Sequence, residues 1–92
     1  MTRAREDIDA ALQRKGFTKE AGDHSYYIYW NLAGQKTIKK TKMSHGSSHK
    51  TIGDPLLGIM ARQVGLTKKN FLEFVDCNLD QAGYESAAFS NS

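Results

Sequence analysis

Residues 24–30, HSYYIYW, are the stretch of this chain that most restricts its fold. Aromatic residues dominate the stretch, and aromatic and β-branched residues are enriched in strands. Gly22 and Asp23 supply turn chemistry before it, and residues 31–35, NLAGQ, have the length and the glycine of a hairpin loop after it. The sequence therefore predicts a strand at residues 24–30 that turns back into a second strand.

Alternation along this strand produces two aromatic faces. The two sets are His24, Tyr26, Ile28 and Trp30, and Ser25, Tyr27 and Tyr29. We expect Tyr26, Ile28 and Trp30 to lie in the core. Tyr27 and Tyr29 would then be exposed, where they would stack on unpaired nucleic-acid bases. If the faces are exchanged the roles are exchanged too, because alternation does not distinguish two aromatic faces.

The remaining elements follow from periodicity and from capping residues. We predict a helix at residues 3–15, strands at 17–21 and 36–43, a loop at 44–53, a helix from Asp54-Pro55 to Gly65, and a helix that starts after the cap Thr67. The order α-β-β-β-α-α predicts an α+β fold of two layers, in which helices back a three-stranded antiparallel sheet. Residues 1–80 form one domain in this interpretation, and residues 81–92 form an acidic, flexible tail.

Charge is distributed unevenly along the chain. Residues 24–53 contain no acidic residue, whereas residues 70–92 contain four acids and no base. The lysines of the acid-free stretch are Lys36, Lys39, Lys40, Lys42 and Lys50. Such a cluster favours an anionic partner, with lysines neutralising the phosphates of RNA. For any single lysine, a solvated edge strand remains the alternative.

Several functional classes are disfavoured by the sequence. Cys77 is the single cysteine, so an internal disulfide is excluded, and we expect a buried, reduced thiol. No apolar run approaches the roughly 18 residues of a membrane span. The first residues lack the apolar segment of a signal peptide. We therefore expect a cytoplasmic protein without a membrane segment or a cofactor.

Histidines supply the candidate catalytic groups. An imidazole at His24, just after a turn, can accept the proton of a ribose 2′-hydroxyl near neutral pH, and this route needs no metal. The alternative for His24 is a sheet residue packed under the first helix. His45 is the candidate proton donor to the leaving oxygen. His45 and His49 are four apart, but the Gly and Ser residues between them indicate a loop, and no third ligand follows, so we predict no metal site.

A series of short motifs resembles the HicA toxins. They are the Lys15-Gly16-Phe17 end of the first helix, Gly22-Asp23-His24 with its aromatics, the basic strand, Ser44-His45-Gly46, and Gln63-Val64-Gly65-Leu66. The resemblance covers about residues 3–66. It implies a double-stranded-RNA-binding-like fold, endonucleolytic cleavage of mRNA with His24 as the catalytic histidine, and a HicB-like antitoxin through which any oligomer would form.

This chain departs from the family pattern at two places. Ser25 stands where many members have a second histidine, and a further helix with an acidic tail follows Thr67. Two other functions therefore stay open. The same fold can bind RNA without cutting it, with His24 as a structural residue. Alternatively, the basic centre binds an acidic protein, and the acidic segment from Glu73 to Glu85 covers that centre in the free chain.

Overall fold

A computed structural model of the protein describes residues 2–20, 22, 24–44 and 51–89. The elements in chain order are β1 (Thr2–Ala4), α1 (Arg5–Arg14), β2 (Phe17–Glu20), β3 (His24–Trp30), β4 (Lys36–Ser44), β5 (Thr51–Gly53), α2 (Asp54–Gln63), α3 (Lys68–Val75) and α4 (Gln81–Phe89). They build the α+β fold that the sequence predicts. Helices pack against one face of an antiparallel sheet of order β2-β3-β4, and β1 and β5 form a small second sheet.

The hairpin of β3 and β4 is closed by the predicted loop. The backbone N–H of Asn31 donates to the carbonyl of Gln35 over 2.9 Å, and the side-chain Oδ1 of Asn31 accepts from the N–H of Gln35, also over 2.9 Å. On the other side of β3, Phe17 of β2 lies opposite Tyr29. The central strand β3 is thus paired on both sides. One face of the sheet packs against the helices, and the other face is open to solvent.

The buried face of β3 carries Tyr27 and Tyr29, so the predicted assignment of the two faces is wrong. Tyr27 is 1% exposed and Tyr29 is 0% exposed, whereas Trp30 is 38% exposed. The ring of Tyr29 lies 5.1 Å from that of Phe17 and 4.7 Å from that of Tyr84, centroid to centroid. Helix side chains complete this core, among them Ile8, Leu12, Leu57, Met60, Phe71 and Phe74.

The small sheet joins two segments that the sequence assigned differently. Thr2 lies opposite Gly53, and Ala4 lies opposite Thr51. Residues 2–4 therefore form a strand instead of a cap and first turn, and residues 51–53 form a strand instead of the end of a loop. Strands of three residues carry too little periodicity to be recognised, and this pair joins positions about fifty residues apart.

The helical hairpin of α2 and α3 confirms the prediction. Gly65 ends α2 with a φ of +84°, which only glycine adopts without strain, and the N–H of Leu66 returns to the carbonyl of Ala61 over 2.8 Å. The hydroxyl of Thr67 caps α3 by accepting from the N–H of Asn70 over 3.1 Å. Two short helices are thus held side by side against the sheet.

Residues 81–89 form α4, so this part of the flexible tail predicted at residues 81–92 is a packed helix, and residues 90–92 lie outside the described residues. Tyr84 is fully buried, and its hydroxyl donates to the carbonyl of Val64 over 2.8 Å. Its ring lies within 5.4 Å of Phe17 and 5.3 Å of Phe74. Cys77, predicted to be buried, is exposed in the turn between α3 and α4 with a φ of +66°. The chain reverses there, which turns this thiol away from the core.

Candidate nucleic-acid interface

The sheet face opposite the helices, called the outer face here, has an apolar row along its central strand. Alternation puts Tyr26, Ile28 and Trp30 on this face once Tyr27 and Tyr29 are buried. Trp30 is exposed, and Tyr26 and Ile28 are partly exposed. These three residues, called the apolar row, offer two aromatic rings at the surface of the sheet.

A row of lysines lies beside the apolar row in register. Lys42 is opposite Tyr26, Lys40 is opposite Ile28, and Lys36 is opposite Trp30. Directly opposite residues on antiparallel strands share a face, with Cβ atoms about 4.5–5.5 Å apart. A bulge between Ile28 and Trp30 shifts the register so that Lys36 reaches this place. All three lysines, called the lysine row, are exposed.

The lysine row keeps its charge unpaired within the part of the chain that the structure describes. The ion pairs found there use other lysines, Lys19 with Asp9 at 2.9 Å and Lys68 with Asp54 at 3.5 Å. The three ammonium groups therefore repel one another along one edge strand, and this part of the surface is positively charged.

The opposite side of the outer face is formed by β2. Thr18 lies opposite Ile28, and its hydroxyl accepts a hydrogen bond from Nε1 of Trp30 over 3.1 Å. This contact fixes the tilt of the indole on the sheet. Glu20 lies opposite Tyr26 and is exposed, so positive potential is concentrated on the β4 side.

A groove opens at the β4 edge of the sheet, where the outer face meets the end of α2. Its volume is about 350 Å³, and it is lined by Tyr26, Lys40, Thr41, Lys42 and Gln63. The hydroxyl of Thr41 donates to Oε1 of Gln63 over 2.7 Å. Gln63 was not among the predicted site residues, because only the docking of α2 against β4 brings the end of that helix to the sheet edge.

Lys39 is separated from the lysine row. It is partly buried, and its Nζ lies 5.6 Å from the centroid of the Phe89 ring of α4. Alternation along β4 accounts for this placement, because Lys39 falls on the face of Thr41 and Met43 and not on the face of Lys40 and Lys42. Of the predicted lysines, Lys36, Lys40 and Lys42 are brought together and Lys39 is not.

Tyr27 and Tyr29 are not available to stack bases, which corrects their predicted role. The hydroxyl of Tyr27 donates to Oδ1 of Asp9 over 2.6 Å, and that of Tyr29 donates to Oε2 of Glu85 over 2.9 Å. The pKa of Tyr29 is raised to about 12, chiefly by burial; the hydrogen bond from Gln81 lowers it, and the hydrogen bond to Glu85 and the charge of that carboxylate raise it. These phenols therefore serve the core.

Asp9 is the acceptor at the centre of a small polar cluster on the helix side of the sheet. Desolvation alone would raise its pKa, but hydrogen bonds from Tyr27, Lys19 and Gln13 together hold it below the usual value. Lys19 at 2.9 Å is the closest cation. This carboxylate thus stays ionised and satisfied, and it orients a core tyrosine.

The acidic residues of the C-terminal segment do not cover the lysine row. Asp76 forms a two-bond ion pair with Arg3, at 2.7 and 2.8 Å. Asp80 accepts from the N–H of Gly83, and Glu85 accepts from the N–H of Leu32. In the described part of the chain these three acids thus have partners other than the lysine row, which contradicts the predicted cover by the whole segment from Glu73 to Glu85.

His24 is the first residue of β3, and its backbone lies opposite Ser44 of β4. It precedes the apolar row by two positions on the same strand. His45, Lys50 and His49 lie outside the described residues, so their roles stay predictions. The backbone of His24 therefore lies at the end of β3 that precedes the apolar row.

Among residues 2–20, 22, 24–44 and 51–89, no helix is both long and apolar enough to cross a bilayer. The same residues contain no group of three or more His, Cys, Asp or Glu side chains that could hold a metal ion. Comparisons of this chain with protein-family models, curated proteins and solved structures find no match.

Proposed function

We propose that this protein binds single-stranded RNA across the outer face. The observation that carries the proposal is the register of β3 and β4, which places a lysine directly opposite each member of the apolar row. Bases would stack on Tyr26 and Trp30, and phosphates would lie along Lys36, Lys40 and Lys42. Stacked aromatics beside a basic track are the means by which proteins hold unpaired strands.

The strand must be unpaired because its bases have to reach the sheet. Tyr26 and Trp30 are four residues apart on one strand, a separation of about 13 Å, which splayed bases of a single strand can span and the stacked bases of a duplex cannot. The resemblance to HicA toxins supports RNA as the nucleic acid. A HicB-like antitoxin would inhibit the protein by covering the same face, and this partner belongs to the proposal.

Trp30 gives a direct test, because it is the single tryptophan of the chain and lies on the outer face. Titration with unlabelled single-stranded RNA should quench its emission. Replacing Lys36, Lys40 and Lys42 together by Ala should weaken binding and lower the slope of log K against log salt by about 2, since each phosphate contact contributes about 0.7.

Lys69→Ala, an exposed lysine on α3, is the matched control and should bind like the wild type. Circular dichroism would confirm that each variant is folded. Unchanged Trp30 emission at saturating RNA, or equal affinity of the triple variant and the wild type, would contradict binding at the outer face.

Cleavage of the bound strand is the second proposed function, and the place of His24 on the strand of the apolar row favours it. His24 would take the proton of a ribose 2′-hydroxyl, and the 2′-oxygen would attack the adjacent phosphorus. The bond from phosphorus to the 5′-oxygen then breaks, and the leaving oxygen takes a proton from an acid, for which His45 is the predicted residue. The products are a 2′,3′-cyclic phosphate and a 5′-hydroxyl.

One assay distinguishes RNA binding alone from RNA cleavage. Wild type, His24→Ala and the control His49→Ala are incubated with a long single-stranded RNA in excess EDTA, and Trp30 emission is read in parallel. Cleavage by wild type and His49→Ala, with binding but no cleavage by His24→Ala, supports catalysis by His24. Binding without cleavage by all three proteins leaves an RNA-binding domain.

A further inference from the structure

The groove lined by Tyr26, Lys40, Thr41, Lys42 and Gln63 has the size of a small-molecule site. Its volume of about 350 Å³ is near the lower end of the roughly 300–1,000 Å³ of ligand pockets. Such a volume suits one nucleobase with its sugar and leaves no room for a folded oligonucleotide. The groove is continuous with the outer face, because Tyr26 belongs to both.

Gln63 provides a polar group of fixed orientation in this groove. Thr41 is 2% exposed, and its hydroxyl holds Oε1 of Gln63 over 2.7 Å. Within the described residues, Nε2 of Gln63 makes no hydrogen bond, so its two N–H groups remain available. A side-chain amide held in this way can donate to the carbonyl or ring-nitrogen acceptors on the edge of a base.

The other lining residues supply the stacking surface and the positive charge that a nucleotide-binding site requires. Tyr26 supplies an aromatic wall, and the methylene stems of Lys40 and Lys42 supply apolar surface, with ammonium groups at their ends. The two lysines are adjacent members of the lysine row, on either side of Thr41 in sequence. Phosphates on both sides of one nucleotide would therefore each have a lysine.

We infer that this groove is a nucleobase pocket in which Gln63 reads the edge of one base of the bound RNA. The inference rests on the proposed RNA binding and adds base selectivity to it. The lysine row and Trp30 bind any sequence, whereas a fixed amide donor favours the bases that present a matching acceptor. Thr41 acts as a positioning residue, since it touches the base only through Gln63.

The test compares affinities for homopolymers of A, C and U of about ten nucleotides, a length within the usual site sizes for single strands. Wild type, Gln63→Ala and the control Gln35→Ala are titrated, with Trp30 emission as the signal. Gln35 lies beside the β3–β4 turn, away from the groove-lining residues. Wild type and Gln35→Ala should rank the homopolymers with a spread of about fivefold or more, the value of about one net hydrogen bond.

Gln63→Ala should bring the affinities to within about twofold of one another while RNA is still bound, because the lost hydrogen bond is the source of the spread. Equal affinities in the wild type, or an unchanged ranking in Gln63→Ala, would overturn the base pocket and leave the proposed function intact. No change in Trp30 emission with any homopolymer would overturn the proposed function, and this inference with it.

Discussion

Lys15 is a charged side chain that lies almost wholly inside the protein, at 7% exposure. Its Nζ donates to the carbonyl of Phe74 over 2.6 Å and to that of Leu79 over 2.9 Å. The same ammonium lies 4.8 Å from the centroid of the Phe74 ring. A cation at the C-terminal turn of α3 is favoured by the helix dipole, so Lys15 joins the end of α1 to the end of α3.

Lys15→Met should lower the free energy of unfolding by about 2–3 kcal/mol, because it removes charge-assisted hydrogen bonds and leaves buried carbonyls without that donor. Urea unfolding followed by circular dichroism measures the change. Lys69→Met, on the exposed side of α3, is the control and should change little. Equal midpoints for the two variants would show that Lys15 contributes nothing through its buried contacts.

The roles of some single residues could not be predicted from sequence patterns. The sequence predicts Lys15 only as part of a helix end and Gln63 only as part of a short motif, because the burial of Lys15 and the orientation of the Gln63 amide arise from packing. Gly16 has a φ of +104°, and a Cβ there would come within 2.6 Å of Gln81 Nε2. The helix stop at Gly16 was predictable, but its second role, making room for α4, was not.

The elements with strong local signals were predictable: β2, β3, β4, α1 and the α2–α3 hairpin. The faces of β3 were not, since both sets of side chains are aromatic and the helices select Tyr27 and Tyr29. The helix α4 was missed because it contains a glycine, begins after an irregular turn and buries one large side chain, Tyr84. That side chain is enough to dock the helix, because several aromatic rings surround it.

Tyr84→Ala should lower the free energy of unfolding by about 3–5 kcal/mol, since it leaves a cavity between three rings and removes the hydrogen bond to Val64. Ser86→Ala, an exposed position on the same helix, should stay within about 0.5 kcal/mol of the wild type. Denaturant unfolding of both variants gives the comparison. A small effect of Tyr84→Ala would mean that α4 docks weakly.

At the scale of the molecule, charge is divided between the two layers. The lysine row lies on the outer face, and Asp76 and Glu85 are engaged among the helices and at the β3–β4 turn. The uneven distribution of charge along the sequence predicts an anionic partner. It does not predict that the lysine row and the C-terminal acids lie on different layers, because this depends on where α4 packs. The outer face therefore carries a surplus of positive charge, and the opposite face of the sheet packs against the core.

Three core tyrosines make stability sensitive to alkali. Burial is the main cause that raises the pKa of Tyr27, Tyr29 and Tyr84 above the ordinary value, to about 12 for Tyr29. Below about pH 10 the phenols are neutral in both states, and their contribution to stability is fully present. Above that pH the unfolded chain loses phenolic protons first, so this contribution falls until the folded pKa is passed.

We therefore expect the urea midpoint to fall between about pH 10 and about pH 12, and Tyr29→Phe to show a shallower fall than the wild type. Unfolding curves at intervals across this range measure both slopes. Parallel curves for the two proteins would show that ionisation of Tyr29 is not linked to unfolding.

The bulge that aligns Lys36 with Trp30 has a further consequence for how copies of this protein meet. At the bulge, residues 37–39 of β4 lie opposite the single residue Tyr29 of β3. Ile38, the middle residue of these three, is 91% exposed. β4 is an edge of its sheet, and regular edges invite strand addition and aggregation. An interrupted edge offers a less continuous ladder to another chain, so we expect the irregularity that completes the lysine row also to disfavour strand addition at the exposed isoleucine.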